Sequence, residues 1–332
     1  MNIAVVGNGA FGTALASVCQ RAGHAVRMWG HDAAYTDEIA TTRRNPRYLP
    51  EEVVVPDEIL VSSDGSRVLD GAETVLFGVP TQHLRGVATG LREWLPGGVP
   101  LVSLSKGLEQ ATTKRPSQVL EEVAGDGGPI LALGGPSHAE EIALGLPAAV
   151  VVAGEESAVA ALQEALRGSS LRVYGQTDTL GVELCGALKN VMAIAAGVAD
   201  GLGYGDNSKA AILARGIVEM ARYGQAEGAE AATFHGIAGV GDLAVTAFSR
   251  HGRNRAFGER IGQGETLEDI LASTAKVVEG VWTSRVVRDR AAELGIEMPI
   301  TDAVCAVLFE GMSAERAVRG LMERDHKDET VR

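Results

Sequence analysis

Lys189 lies in the segment "ELCGALKNVMAIAAGVADG", Glu183 to Gly201, in which every residue from Leu184 to Ala199 except that lysine is apolar, small or neutral. On a helix its neighbours at i±3 and i±4 are Cys185, Gly186, Met192 and Ala193, and none of them pairs with an ammonium. A partner must come from another element or from a ligand. An unpartnered ammonium in apolar surroundings is disfavoured against the neutral amine, which suits proton transfer; the competing reading is a side chain whose stem packs while its head snorkels to water. A second concentration of chemistry lies in "GIAGVGDLAVTAFSRHGRNRAFGERIGQG", where a glycine turn leads to Asp242 and then to Arg250, His251, Arg253, Asn254 and Arg255. In a chain of formal net charge −13 this basic stretch stands out. Arginine forks beside an asparagine amide suit phosphate oxygens, the alternative being a solvated helix start. Asp242 would either cap a helix or orient a lysine.

Three further stations carry polar chemistry. "NIAVVGNGAFGTALASVCQRAGH" places Gly7, Gly9 and Gly12 in GxGxxG spacing between a strand and a helix. Gly7 would allow the tight turn, Gly9 the approach of backbone to a pyrophosphate, and Gly12 close packing of helix on strand; the competing reading is an ordinary glycine turn. An acid closing the second strand would signal NAD, but "VRMWGHD" offers His31 before Asp32, and Arg43 and Arg44 follow, so a 2'-phosphate remains open. Asp32 either caps the next helix or touches ribose. "LVSLSKGLE" puts Lys106 directly after a buried strand, at the rim where ligands of parallel sheets sit, and "VLFGVPTQH" ends its strand in a Val79-Pro80 turn. "LALGGPSHAEEIALG" reads as a capping box, with Ser137 as helix cap and Glu140 three residues on.

These stations need elements to hold them. From Met1 to about Gly175, β-branched runs alternate with turns and amphipathic stretches: "NIAVVG", "HAVRMWG", "ETVLFGVP", "PLVSLSKG", "PILALGGP", "PAAVVVAG" and "SLRVYG" are the clearest strands. Continuous apolar runs suit parallel strands covered on both faces, so the pattern predicts a doubly wound, mostly parallel sheet. "EEVVV" and "EILVSS" would add a strand or a hairpin. Beyond "TDTLGVEL", alanine-rich helical stretches continue to near Arg324, with a helix cap expected at Asp206 or Ser208. The expected division is a nucleotide-binding domain over 1–178, an all-helical domain over 179–325 and a fraying tail over 326–332.

Composition bounds the function. The negative charge, with no Lys/Arg-rich block to offset it, argues against nonspecific nucleic-acid binding. Cys19, Cys185 and Cys305 are too few and scattered for a disulfide framework, nothing resembles a metal-binding spacing, and a cytoplasmic location is expected. The N-terminus lacks the charged and long apolar regions of a secretory signal. The segment around Lys189 falls short of the roughly 20 apolar residues of a membrane span and carries a charge near its middle. No span is expected.

The chain closely resembles the bacterial NAD(P)-dependent sn-glycerol-3-phosphate dehydrogenases. The motifs run nearly its whole length: "GNGAFGTALA", "RRNPRYLP", "VPTQHLR", "SLSKGLE", "GGPSHAEEIA", "ELCGALKNVMAIAAGVADGLGYGDNSKAAILARGIVEM", "GVGDLAVTAFSRHGRNRAFG" and "VVEGVWTS". The resemblance implies a Rossmann-type α/β N-terminal domain, and an all-α C-terminal domain like that of 6-phosphogluconate dehydrogenase. It implies reduction of dihydroxyacetone phosphate to sn-glycerol 3-phosphate with NADH or NADPH, feeding glycerophospholipid synthesis. Carried over residue by residue, it gives Lys189 the proton-transfer position and Lys106 the lysine shared between cofactor and substrate. It puts Asp242, Arg253 and Asn254 in the substrate-binding motif, with Arg253 also near the cofactor. Ala10, Phe11, His31, Ala139, Val277 and Glu279 match cofactor positions, and Gly135 and Ser137 match substrate positions. One departure is Gly252, where the family's pattern has serine before Arg-Asn; backbone N–H or Ser249 would have to serve instead. Related architectures lead to the expectation of a homodimer. The rivals are a two-domain dehydrogenase acting on a hydroxy acid or acyl-CoA, and a noncatalytic nucleotide-binding sensor; substrate-dependent NAD(P)H oxidation with phosphorylated against unphosphorylated ketones separates them.

Overall fold

The computed structural model describes residues 1–125, 127–249, 252–273 and 278–325. The chain divides into two compact units, Met1–Glu183 and Leu184–Arg332.

The first unit is built on eight strands: β1 (Asn2–Val6), β2 (Ala25–Trp29), β3 (Leu60–Ser62), β4 (Thr74–Phe77), β5 (Leu101–Ser103), β6 (Ile130–Gly134), β7 (Ala148–Ala153) and β8 (Leu171–Gln176). They lie in the order β3-β2-β1-β4-β5-β6-β7-β8. All neighbours are parallel except β6 and β7, so β7 and β8 run against the other six. Alternation along β1 shows why both faces must be covered. Ile3 and Val5 enter one core with Leu15 and Val18 of the helix Ala10–Arg21, while Ala4 and Val6 enter the other with Phe77, Leu84 and Leu120. A strand buried on both sides reads as an unbroken apolar run, and that is the pattern in the sequence. The order reverses between β1 and β4, which creates the crevice at the carboxyl ends of the strands where this class of sheet binds ligands.

"EILVSS" supplies β3, but "EEVVV" forms no strand. Val53 and Val55 are buried and Val54 is exposed, so the period-2 alternation is real. Their N–H groups bond to Pro50 O and Arg43 O in a loop rather than to a neighbouring strand. The alternation reports burial and not pairing.

The helix Thr179–Gly201 carries Lys189. It is the one helix among the described residues long and apolar enough to cross a membrane, and 89% of its apolar window is buried inside the protein. Its apolarity therefore serves a core. One turn into it, Glu183 accepts bonds from Ser117 N (2.7 Å), Ser117 Oγ (2.6 Å) and Arg115 Nη1 (2.6 Å), all within the first unit. Burial pushes the Glu183 carboxyl above its ordinary range, opposed by Arg115 and Ser117.

In the second unit this helix meets the helix Arg253–Gly262 almost without clearance. Cβ atoms placed on Gly197 and Gly201 would stand 2.0 Å from Arg255 O and 2.1 Å from Glu259 O. On the other side, Gly258 and Gly262 would stand 2.1 Å from Ile194 O and 2.4 Å from Val198 O. Two glycines four residues apart on each helix thus leave no side chain between the backbones at these four points, so the backbones pack directly there. The expected cap at Asp206 or Ser208 is not formed. Gly205 is the N-cap of the helix Asp206–Glu227, with no side-chain hydrogen bond, because the helix starts one residue before Asp206 could cap it.

Gly258→Ala is expected to cost about 1–3 kcal/mol, since a backbone carbonyl cannot yield to the new methyl. Gly86→Ala, in the helix Thr81–Leu91 with nothing within 4 Å, is expected to be neutral or stabilising. Thermal denaturation of the two variants compares them.

Candidate functional site

The turn after β1 has the geometry that its glycines imply. Gly7 sits at φ +114°, and a Cβ there would lie 2.7 Å from Gly78 O at the end of β4. A Cβ on Gly12 would lie 2.0 Å from Gly7 O. A Cβ on Gly9 would meet nothing within 4 Å. Gly7 and Gly12 therefore serve the turn itself, whereas the space over Gly9 is open. Gly9 is also the N-cap of the helix Ala10–Arg21 and provides no side-chain cap, so the first-turn N–H groups, including those of half-buried Ala10 and Phe11, are presented to that space. An open approach to helix N–H groups at the sheet's switch point fits a dinucleotide pyrophosphate.

A buried polar network, not foreseen from the sequence, secures this turn. Asn45, from "RRNPRYLP", is 2% exposed and donates to Asn8 O (2.9 Å) and Thr13 Oγ1 (2.8 Å), while Tyr35 donates its hydroxyl to Asn45 Oδ1 (2.5 Å). Asn8 Nδ2 donates to Thr36 Oγ1 at 3.2 Å. The only signal in the sequence was an asparagine amid charged residues before a proline. Past β2, His31 is exposed. Asp32 resolves as a cap: its carboxylate accepts from Tyr35 N at 3.1 Å and pairs with Arg47 at 2.9 Å. The Tyr35 N–H, followed by Arg47, holds the Asp32 carboxyl below its usual range.

Lys106 follows β5 and donates from Nζ to Gly135 O (3.0 Å) and Ser137 Oγ (3.1 Å). Gly135, at φ +108°, turns that carbonyl out after β6. The capping box expected at Ser137 and Glu140 is absent. The N-cap of the short helix Ala139–Ala143 is His138, one residue later, and Ser137 spends its hydroxyl on Gly135 O at 2.9 Å. Ser137 thus belongs with Lys106. Ala139 is buried at the first helical position.

In the second unit Lys189 acquires the partner that its own helix lacks. Its Nζ lies 2.5 Å from Asp242 Oδ1 and donates to Thr246 Oγ1 at 3.0 Å. The side chains of Lys189 and Asp242 are only 8% and 1% exposed, so the snorkelling reading fails. The picture of an unpartnered amine fails as well, because a carboxylate in contact favours the ammonium. Asp242 opens the helix Asp242–Phe248 but does not cap it; Gly241 is the N-cap, and the carboxylate turns to the lysine. A π-helical turn over Ile237–Gly241 precedes it, the kind of interruption that often re-aims a functional side chain. Thr246 Oγ1 donates in turn to Asp242 O at 2.6 Å, leaving its lone pair toward the lysine. Thr246 was not foreseen; its signal was the position one helical turn after Asp242.

Asn190, next to Lys189, accepts from Asn254 Nδ2 at 2.9 Å, and Asn254 Oδ1 accepts from Gly280 N at 3.0 Å. This amide bridge brings Asn254 to the lysine helix and places Glu279, at the first position of the helix Glu279–Leu294, beside it in sequence. Exposed Arg253 begins the helix Arg253–Gly262, with Gly252 as its N-cap and no side-chain cap. A Cβ on Gly252 would come to 3.0 Å from Thr246 O, so serine there would crowd that carbonyl. Ser249 offers its carbonyl to Arg255 Nε (2.9 Å) and to Gly252 N (3.4 Å). Val277, Arg250 and His251 lie outside the described residues.

Gly9→Ala is expected to keep the parent's melting temperature while weakening NADH binding, and Gly12→Ala to lower the melting temperature itself; fluorescence titration beside thermal denaturation reads both.

The comparisons agree along the whole chain. Residues 2–160 match the N-terminal and residues 178–319 the C-terminal family of NAD-dependent glycerol-3-phosphate dehydrogenase. A glycerol-3-phosphate dehydrogenase [NAD(P)+] of Salinibacter ruber is 46% identical over 331 residues, covering 99% of this chain and 97% of that protein. One from Geobacillus kaustophilus is 45% identical, covering 99% of this chain and 96% of its own. The crystal structure of glycerol-3-phosphate dehydrogenase from Coxiella burnetii superposes with a TM-score of 0.90 at 35% identity, covering 97% of this chain and 99% of that one. Together with the glycine turn and the buried lysine, these matches establish that the chain belongs to the NAD-dependent glycerol-3-phosphate dehydrogenase family.

Proposed function

We propose that the protein reduces dihydroxyacetone phosphate to sn-glycerol 3-phosphate with NAD(P)H, and that Lys189 supplies the proton. The observation that carries this is the contact of Lys189 Nζ with Asp242 Oδ1 at 2.5 Å in a buried setting. NAD(P)H, when bound, supplies hydride to the ketone carbon. Negative charge then develops on the carbonyl oxygen, and the protein must neutralise it. Lys189, kept as an ammonium by Asp242, donates its proton there and recovers it as base in the reverse direction. Thr246 fixes the direction of the ammonium through its own bond to Asp242 O.

The remaining assignments divide by unit. In the first, Gly7, Gly9, Ala10, Phe11, Gly12, His31 and Ala139 form the cofactor surface, and Lys106 with Gly135 and Ser137 addresses cofactor and substrate. In the second, Arg253 with Asn254 and the N-terminal N–H groups at Gly252 bind the substrate phosphate and so orient the ketone, with Arg253 and Glu279 also near the cofactor. Val277 keeps the cofactor role that the resemblance gives it. We carry this over as a nucleotide-binding domain over 1–178 and a catalytic domain over 179–325, a boundary five residues before the one between the two compact units at Glu183. A homodimer in the cytoplasm completes the reading. The location is supported by the buried thiols of Cys19, Cys185 and Cys305, none of them in a disulfide, of which Cys19 is pushed up to about 12 by burial.

Lys189→Met is expected to lower kcat for dihydroxyacetone phosphate by about 10²- to 10⁴-fold, the range of a lost general acid, with NADH binding retained. Near-normal turnover with intact cofactor binding would remove Lys189 from the chemistry.

A further inference from the structure

The basic stretch contains arginines that the sequence cannot tell apart, and the structure separates two of them. Arg255 is committed to the protein. Its Nη1 lies 2.6 Å from Asp200 Oδ2, its Nη2 lies 3.1 Å from Glu259, and its Nε donates to Ser249 O at 2.9 Å. At 11% side-chain exposure it has the environment of a scaffold cation rather than of a ligand-seeking one. Arg253, two residues earlier, is exposed at the helix start.

Asp200 stands at the far end of the lysine helix and is itself shared. Its other oxygen lies 2.6 Å from Lys209 Nζ, and that ammonium sits 5.2 Å from the centre of the Phe248 ring. One carboxylate therefore reaches two consecutive residues: Phe248 through Lys209, and Ser249 through Arg255. These two residues end the helix that begins with Asp242, and the chain next enters the helix that begins with Arg253. The glycine crossing at Gly197 and Gly201 brackets Asp200, so the carboxylate is anchored to the most closely packed part of the unit.

From this geometry we propose that Asp200 is a positioning residue for substrate phosphate, acting through Lys209 on Phe248 and through Arg255 on Ser249, whose carbonyl also accepts from Gly252 N, and thereby on the helix start that presents Arg253 and Asn254. This rests on the reading that Arg253 binds that phosphate. Asp200 touches no reacting atom. Neutralising it leaves two part-buried cations without their shared counter-charge and loosens the Arg255 donor that holds the Ser249 carbonyl. The loss therefore falls on binding of the phosphate and spares the chemistry of the ketone.

The test is steady-state kinetics of Asp200→Asn with dihydroxyacetone phosphate and with dihydroxyacetone, which lacks the phosphate. The expected result is an increase of about ten- to a hundredfold in KM for the phosphorylated ketone, with kcat/KM for dihydroxyacetone changed less than about twofold. Arg255→Lys, which keeps the charge but loses the fork, is expected to fall between parent and Asp200→Asn, and it carries the test if Asp200→Asn does not fold. An equal loss on both ketones, or no loss on either, overturns the proposal. Arg253→Ala, measured alongside, tests the underlying reading separately. If Arg253→Ala loses the preference for the phosphorylated ketone while Asp200→Asn keeps it, the positioning role alone is wrong. If Arg253→Ala keeps that preference, the phosphate reading is wrong.

Discussion

The second unit depends on one ion pair, Lys189 with Asp242, made where water hardly reaches. Taking an ammonium and a carboxylate out of water costs several kcal/mol per ion, and the pair persists only where contact is close and further hydrogen bonds complete it. Here the contact is 2.5 Å, and Thr246 ties the lysine to the backbone carbonyl of Asp242. The surrounding helix keeps the pair dry: Leu188, Val191, Met192 and Ala193 are fully buried. Replacing such a pair by apolar side chains is often neutral or stabilising, so its presence supports the proton-transfer role proposed for Lys189.

Holding the pair in place is a problem of backbone distances. The lysine helix is fixed by the four-glycine crossing, which packs it directly on the helix Arg253–Gly262, and by the Asn190–Asn254–Gly280 bridge, which spans three elements. Rigid backbone contact would keep the proposed proton donor Lys189 and the proposed anion site at Arg253 and Asn254 at constant separation. The first unit solves a parallel problem at Gly7 and Gly12, where carbonyl-to-Cα packing leaves Gly9 alone with open space above it. In both units, glycines set the backbone spacing around the residues proposed to bind ligands.

Much of this was legible in the sequence, for reasons that differ by element. The unbroken apolar runs gave the strands because a doubly covered sheet demands them, and only "EEVVV" misled, since loop residues packed into a core alternate as a strand does. Helix caps were misjudged at Ser137 and at Asp206 by a single residue, because a cap depends on where the last turn closes and not on which residue could accept a bond. The partner of Lys189 lay 53 residues away, so the helix alone showed only that a partner was needed. The glycine crossing stood in view as Gly197, Gly201, Gly258 and Gly262. Spacing of four shows a small face on each helix but not that the two faces meet.

We propose that Asp242 keeps Lys189 charged as the proton donor. The most direct measurement is the pH dependence of kcat/KM for dihydroxyacetone phosphate in the parent and in Asp242→Asn. The parent's rate should fall at high pH as Lys189 loses its proton. Without the carboxylate a buried ammonium is disfavoured, so in the variant that fall should begin at lower pH. A high-pH limb at the same position in both proteins would contradict the account.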